Sequence, residues 1–451
     1  LPELRRIAAA ALTAVTVSAA AVVPSGVVAQ VNVNPLEIED LILEGRPAEA
    51  AHAAQDALAR LRSSSEPVSY GLAGRILVAL CEARNDLKEY DLAEAICLEA
   101  VATLEAAEAT EPGARWVLTE KALPQLALTY DLTHQPEKAL DIHERELQRA
   151  GADPGRRITI LSSIGELQQS LGRWRDAEAS FREALDSIGS VPRSEREATY
   201  LAYGRLSLLY RTEERFDEAE NLLSEGIDAL RADFGGDSAY LLVLTEALGW
   251  TCYEKGQLER SRDIAAKLID TYQRSGRGDS LLTVSTRLLL ARAEDDLSPG
   301  SAEAERALAL ALATSQGTVR VGEYLHAFAR SELARHYLLT ANFAEAETLA
   351  RGAAAYFTEE HGKTHGLTAL TTLLLARALH GLGRDAEAAG AAQVAYAAQW
   401  AYLPPYHSEL GETLSLLSEL YEALGDSGNL RATQAYLDDH RAARKQFESG
   451  N

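Results

Sequence analysis

An all-α fold, a right-handed α-α superhelix of about nine to ten stacked helical hairpins, is what this sequence predicts. Three observations carry that prediction. Aromatic residues make up 6% of the chain and prolines number 13; Ala and Leu dominate and β-branched runs are scarce, so helices have good formers and a sheet has little to build from. At 451 residues the chain is too long for one ordinary core, which leaves several domains or one elongated array. A pattern of small and large apolar residues returns about every 42 positions, and periods of that length mark stacked repeats.

Residues 1–29 differ in character from the rest of the chain. Arg5 and Arg6 precede an apolar run over 7–23, then Pro24, Ser25 and Gly26, with Val27 and Ala29 at the minus-three and minus-one places. This predicts a secretory signal cleaved after Ala29, because the run is shorter than the roughly 20 apolar residues a spanning helix needs. Residues 30–451 are expected to form one solenoid with degenerate capping hairpins at both ends and no membrane span. The expected location is outside the cytoplasm, in a bacterial periplasm.

Each second helix of the array opens on a small residue: Ala50, Ala93, Ala139, Ala177, Ala219, Ser261, Ala302, Ala346 and Ala388, with a degenerate tenth position at Leu430. Thirteen residues earlier stand Leu80, Leu126, Ile164, Leu206, Leu248, Leu289, Leu333, Leu375 and Leu417. The next column is small, from Cys81 and Ala127 to Ala376 and Ser418, with Leu290 the exception. Tyr130, Tyr210, Tyr337 and Tyr421 recur nine before the anchor, and Ala57, Ala100, Ala184, Gly226, Ala309, Ala353 and Ala395 seven after it. A first helix thus carries Leu, a small residue and Tyr on one stripe, a Gly-containing turn reverses the chain, and a second helix returns its Ala face. Each hairpin leaves an apolar face that only a neighbour can cover. Glu146, Leu268 and Leu437 break the late small column, and with Leu290 they predict a register slip between the sixth and seventh hairpins. The first helix of the array is expected to be short, starting near Leu36.

These columns resemble the tetratricopeptide repeat, and the 42-residue period resembles its kinesin-light-chain subtype, over about residues 35–440. The resemblance implies a protein-binding solenoid whose groove is lined by residues 11 and 8 before each anchor. Those are Glu82 and Asn85, Leu128 and Asp131, Glu166 and Gln169, Leu208 and Arg211, Trp250 and Tyr253, Arg335, Arg377 and His380, and Glu419 and Glu422. Trp250 with Tyr253, flanked by Arg211 and Glu246, is the expected hot spot, since aromatics and Arg dominate interface energetics. The competing reading packs Trp250 between hairpins. Arg335, Arg377 and His380 form a second, basic patch suited to a carboxylate. Tyr396, Trp400, Tyr402 and Tyr406 form an aromatic cluster at the end of a second helix, expected to pack an inter-repeat turn.

Chemistry is scarce. The stretch "HGKTH" holds His361 and His365, but no third or fourth ligand accompanies them, and its Gly-Lys-Thr lacks both the Gly five residues earlier and a preceding strand. It falls where "FGGDS" and "LPPYH" fall in other repeats, so it reads as an inter-hairpin turn whose last residue caps the next helix. No metal, cofactor or catalytic constellation is expected. The net charge of −23 and the lack of a Lys/Arg-rich block exclude a nucleic-acid partner. Cys81, Cys97 and Cys252 make an odd set; Cys81 and Cys97 admit a bridge across one hairpin, with two buried thiols the expected state. The expectation is an exported, non-enzymatic scaffold binding a protein or peptide. The alternative is the recognition or regulatory arm of a larger enzyme or signalling protein, with no catalytic domain expected after "RKQFESGN".

Overall fold

The computed structural model describes residues 34–63, 69–111, 113–151, 153–236, 238–278, 280–316 and 320–450; the expected signal at 1–29 lies outside them. The described residues contain helices and no strand. They divide into two compact units, one ending at residue 167 and one spanning 168–451.

Ten hairpins are described. The first unit holds α1 (Pro35–Leu43) with α2 (Pro47–Ser63), and α3 (Tyr70–Asp86) with α4 (Tyr90–Ala107). Next come α5 (Ala114–Val117), a π-turn (Leu118–Ala122) and α6 (Leu123–Leu132), paired with α7 (Pro136–Arg149). The boundary falls inside α8 (Pro154–Ser170), which is followed in the chain by α9 (Trp174–Asp186). After a short α10 (Arg193–Arg196), the second unit continues with α11 (Leu201–Thr212) and α12 (Phe216–Phe234), α13 (Ala239–Glu254) and α14 (Leu258–Arg274), α15 (Leu282–Leu297) and α16 (Ala302–Ser315). The last three pairs are α17 (Arg320–Leu339) and α18 (Phe343–His361), α19 (Gly366–Gly381) and α20 (Asp385–Tyr402), and α21 (Ser408–Ala423) and α22 (Ser427–Gly450). In the second unit the first helices α11, α13, α15, α17, α19 and α21 each touch the next of their kind. That sequence of contacts makes one continuous wall.

The turns explain how the hairpins close. In nine of the ten described hairpins, the residue two beyond the end of the first helix adopts positive φ. Five of these are glycine, and four are Lys88, His134, Glu214 and Ala341 at φ 56 to 59°. The next N–H then bonds back into the last turn, as Arg215 N–H does to Tyr210 O at 2.8 Å, which closes a Schellman motif. The exception is the turn after α15, where Gly300 stands three beyond the helix end.

That longer turn corrects the register. Ala302 is exposed, and Ala304 is the fully buried residue of α16, so the anchor lies two residues later than the small-residue pattern placed it. The other anchors from Ala50 to Ala388, Ser261 included, are fully buried. Close approach explains two of the glycines: a Cβ on Gly226 would lie 2.6 Å from the Tyr203 ring, and one on Gly249 would lie 2.7 Å from Leu289. Where the spacing lengthens to 46 residues, from Ala93 to Ala139, the first helix carries a π-turn, in which Leu123 N–H reaches back five residues to Leu118 O.

The cysteines differ from expectation. Cys81 and Cys97 form a disulfide between α3 and α4, with Cα atoms 5.5 Å apart, and both are fully buried. The reason is register: Cys81 sits in the small-residue column of a first helix and Cys97 one turn past the Ala93 anchor, so hairpin closure sets them face to face. Asn85, expected in the groove, lies beside them at 1% exposure and donates to Thr129 Oγ1 at 2.9 Å. Cys252 is a free, buried thiol.

Candidate functional site

The wall of first helices in the second unit carries a ladder of side chains that each reach one repeat ahead. Gln169 donates to Thr212 at 3.2 Å, and Arg211 holds Glu254 in a two-pronged pair, its Nε 2.7 Å from Oε2. Tyr253 donates to Asp296, and Arg292 grips Glu332 at 2.6 and 2.7 Å. Arg335 returns to Asp296 at 2.9 Å, and Arg377 of α19 pairs with Glu412 of α21 at 2.9 Å. Each of these links joins residues 35 to 43 apart in sequence. The polar contacts therefore repeat with the fold.

Trp250 stands at the middle of this ladder, half-buried. Its ring meets Tyr253 edge-on at 6.1 Å, and the Arg292 guanidinium lies 5.5 Å from the Trp250 centroid and 5.7 Å from that of Tyr253. Behind it, Glu246 accepts a hydrogen bond from Thr286 at 2.8 Å. Burial raises the Glu246 carboxyl above the ordinary range, against hydrogen bonds from Ser285, Thr286 and Trp250. Burial likewise pushes the Tyr253 phenol up to about 12. The two readings of Trp250 thus meet in one residue, which packs on the neighbouring helix and still presents a face.

The other sequence-predicted residues are placed differently from one another. Arg211, Glu246, Trp250 and Tyr253 lie in this cluster or one rung from it. Arg335, Arg377 and His380 each face a carboxylate of the chain, His380 Nδ1 lying 2.7 Å from Asp385, so the basic patch is neutralised internally. Arg292 and Asp296 escaped the sequence reading because the slipped anchor shifted the groove positions of α15; counting eight back from Ala304 recovers Asp296. The aromatic cluster divides. Tyr406 stacks on Phe447 of α22 at 4.0 Å, whereas Trp400 is 57% exposed.

One further contact had no signal in the repeat columns. Glu214, the positive-φ residue of the α11–α12 turn, accepts the Ser408 N–H at the start of α21 at 2.7 Å and pairs with Arg444 of α22. His440 Nε2 lies 2.9 Å from His407 O in the same corner. This clasp carries the first turn of α21 back to α11, so the wall from α11 to α21 returns on itself. Glu409 lies next to the clasp, where the charges of Glu254 on α13 and Arg292 on α15 reach its carboxyl.

The "HGKTH" segment behaves as a turn. His365 accepts the Leu367 N–H at 3.3 Å at the start of α19, as Ser238 and His407 cap α13 and α21, and the His361 and His365 rings stack at 4.7 Å. Among the described residues no group of three or more His, Cys, Asp or Glu could hold a metal ion, and no helix is long and apolar enough to cross a membrane.

Residues 156–232 match the family described as tetratricopeptide repeat. No curated protein matches the chain. Among solved structures it is similar to a kinesin light chain with nearly identical TPR-like repeats from Podosopora anserina, at 21% identity over 46% of this chain and 96% of that one, TM-score 0.37. It is similar also to the Rap conjugation gene regulator of plasmid pLS20 in complex with a Phr peptide, at 12% identity over 92% and 95% of the two chains, TM-score 0.46. A tetratricopeptide repeat protein from Parabacteroides merdae aligns at 15% identity over 65% and 96%, TM-score 0.43.

Proposed function

We propose that this tetratricopeptide-repeat chain is an exported, non-enzymatic scaffold that binds a protein or peptide through the inner wall of its second unit. The observation that carries the reading is the preorganised Trp250–Tyr253–Arg292 cluster, half-buried on a wall that returns on itself. Aromatics braced by Arg are the side chains that dominate recognition energetics. The export part draws support from the Cys81–Cys97 bridge, since structural disulfides persist in oxidising compartments, and from the signal expected at 1–29.

A photo-crosslinking amino acid tests the binding surface in living cells. Placed at Asp296 or Ser415 on the wall it should give protein or peptide adducts that Trp250→Ala abolishes; placed at the exposed outer positions Leu310 and Val394 it should give none. Adducts from the outer positions alone would assign binding to the other face and sink this reading.

A further inference from the structure

The protein repeatedly sets its own cations over its aromatic rings. Lys138 stands over Tyr130, Arg182 and Arg215 over Tyr210, Arg193 over Phe234, Arg292 over Trp250 and Tyr253, and Arg444 over Phe447, all within 4.1 to 5.9 Å of the ring centroids. One aromatic cluster is treated differently. Tyr396 and Trp400, one helical turn apart on α20, have centroids 6.2 Å apart, and Tyr436 of α22 lies 6.3 Å from Tyr396. Among the described residues no cation stands over any of these three rings.

The cluster is both fixed and open. Tyr396 packs against the buried cluster that holds Ala392, Ala395 and Tyr421, which fixes the ring that the other two adjoin. Trp400 and Tyr436 are each 57% exposed. The ring planes are tilted by 36° and 43°, so the rings do not cover one another's faces as a flat stack would. Negative charge lies beside them: exposed Asp439 follows Tyr436 by three residues on α22 and shares its side of the helix. Burial, then the charges of Tyr436 and Asp439, raise the Tyr396 phenol above its ordinary value.

Aromatic faces beside a carboxylate attract a cation. A Lys ammonium is strongly hydrated and carries three N–H donors, each needing an acceptor once water is displaced. A quaternary ammonium has no N–H to satisfy, and its methyl groups make apolar contact with the rings while carrying the charge. We propose that Tyr396, Trp400 and Tyr436 form a binding site for a quaternary ammonium group, with its methyls on the ring faces and Asp439 as the counter-charge. The site is distinct from the cluster at Trp250, where Arg292 already supplies the cation.

The test is fluorine NMR of the full chain labelled with fluorotryptophan. The chain has four tryptophans, and the resonance missing in Trp400→Leu is the reporter. Choline should shift that resonance saturably and leave the one missing in Trp250→Phe in place. The neutral alcohol in which carbon replaces the choline nitrogen should bind at least about fivefold more weakly. Asp439→Asn should weaken choline by about threefold and leave the neutral alcohol unchanged. Both side chains are exposed, so Trp400→Leu and Asp439→Asn should melt with the parent chain, which separates lost binding from lost folding. Sedimentation with phosphatidylcholine but not phosphatidylglycerol vesicles, lost in Trp400→Leu, would identify the ligand as a lipid headgroup. A response to dissolved choline without vesicle binding would identify it as a free solute. Equal binding of choline and the neutral alcohol would reduce the cluster to an apolar patch and overturn the proposal. So would a choline shift at Trp250 and none at Trp400. A saturable response of Trp400 to maltose, with none to choline, would assign the rings to a sugar and overturn the ligand class.

Discussion

Glu214 and Ser408 lie 194 residues apart in sequence, and the carboxylate of the first accepts the backbone N–H of the second at 2.7 Å. Glu214 is only 4% exposed, and its carboxyl is held below the ordinary range: burial opposes ionisation, but the bonds from Ser408 and the charges of His407 and Arg444 outweigh it. One turn residue therefore ties the start of α21 and Arg444 of α22 to the α11–α12 turn. Glu214→Ala should remove a buried acceptor from both Ser408 N–H and Arg444, at about 2–4 kcal/mol. Hydrogen exchange in the first turn of α21 should rise more than exchange in α15. Unchanged exchange at 408–412 would show that the clasp does not hold the corner.

Acid should loosen the second unit at a second place. Burial works against ionisation of Glu178, yet hydrogen bonds from Arg215, Arg182 and Tyr210 bring its carboxyl down to about 2. A folded-state value below the unfolded one means that its stabilisation is present above about pH 4.5 and disappears as the pH falls toward 2. After allowance for solvent screening this is about 1–2 kcal/mol. Melting curves from pH 6 to pH 2.5 should fall less steeply for Glu178→Gln than for the parent chain; parallel curves would contradict the assignment.

The α17–α18 turn offers a stabilising substitution. Ala341 occupies the left-handed region at φ 56°, where Gly383 and Gly425 stand in the next two hairpins. A Cβ is disfavoured there, so Ala341→Gly should raise stability by about 1 kcal/mol, net of the extra freedom glycine gains in the unfolded chain. Denaturant titration reads this directly as a higher midpoint at unchanged slope.

The disulfide makes a paired prediction. Closing a 16-residue separation between Cys81 and Cys97 should stabilise the first unit by about 3 kcal/mol, and Cys97→Ser should lose that amount. Thiol labelling of denatured, unreduced protein isolated from its native compartment should find Cys252 alone. Labelling of all three cysteines would place the chain in a reducing compartment and contradict export.

The sequence alone determined the helical class, the hairpin unit and most of the register, because backbone approach between stacked helices tolerates only small side chains at recurring positions. Ala93, Ala219 and Ala346 could be read that way with no coordinates. Trp250 and Tyr253 stand at a fixed offset from their anchor, and the fold sets their rings 6.1 Å apart. What escaped was whatever breaks the period. The longer turn at Gly300 moved the anchor to Ala304 and hid Asp296, and the partnership of Cys81 with Cys97 needed the closed hairpin to set two helix faces opposite each other. Only the tertiary structure decided the charge state of the wall. Arg335 and Arg377 look free along the chain and are paired across it, and Glu214 is tied to Ser408, 194 positions away. A local pattern records the contacts every hairpin makes with its neighbour. Contacts between hairpins several repeats apart depend on how small rotations accumulate along the stack, and no single repeat carries that sum.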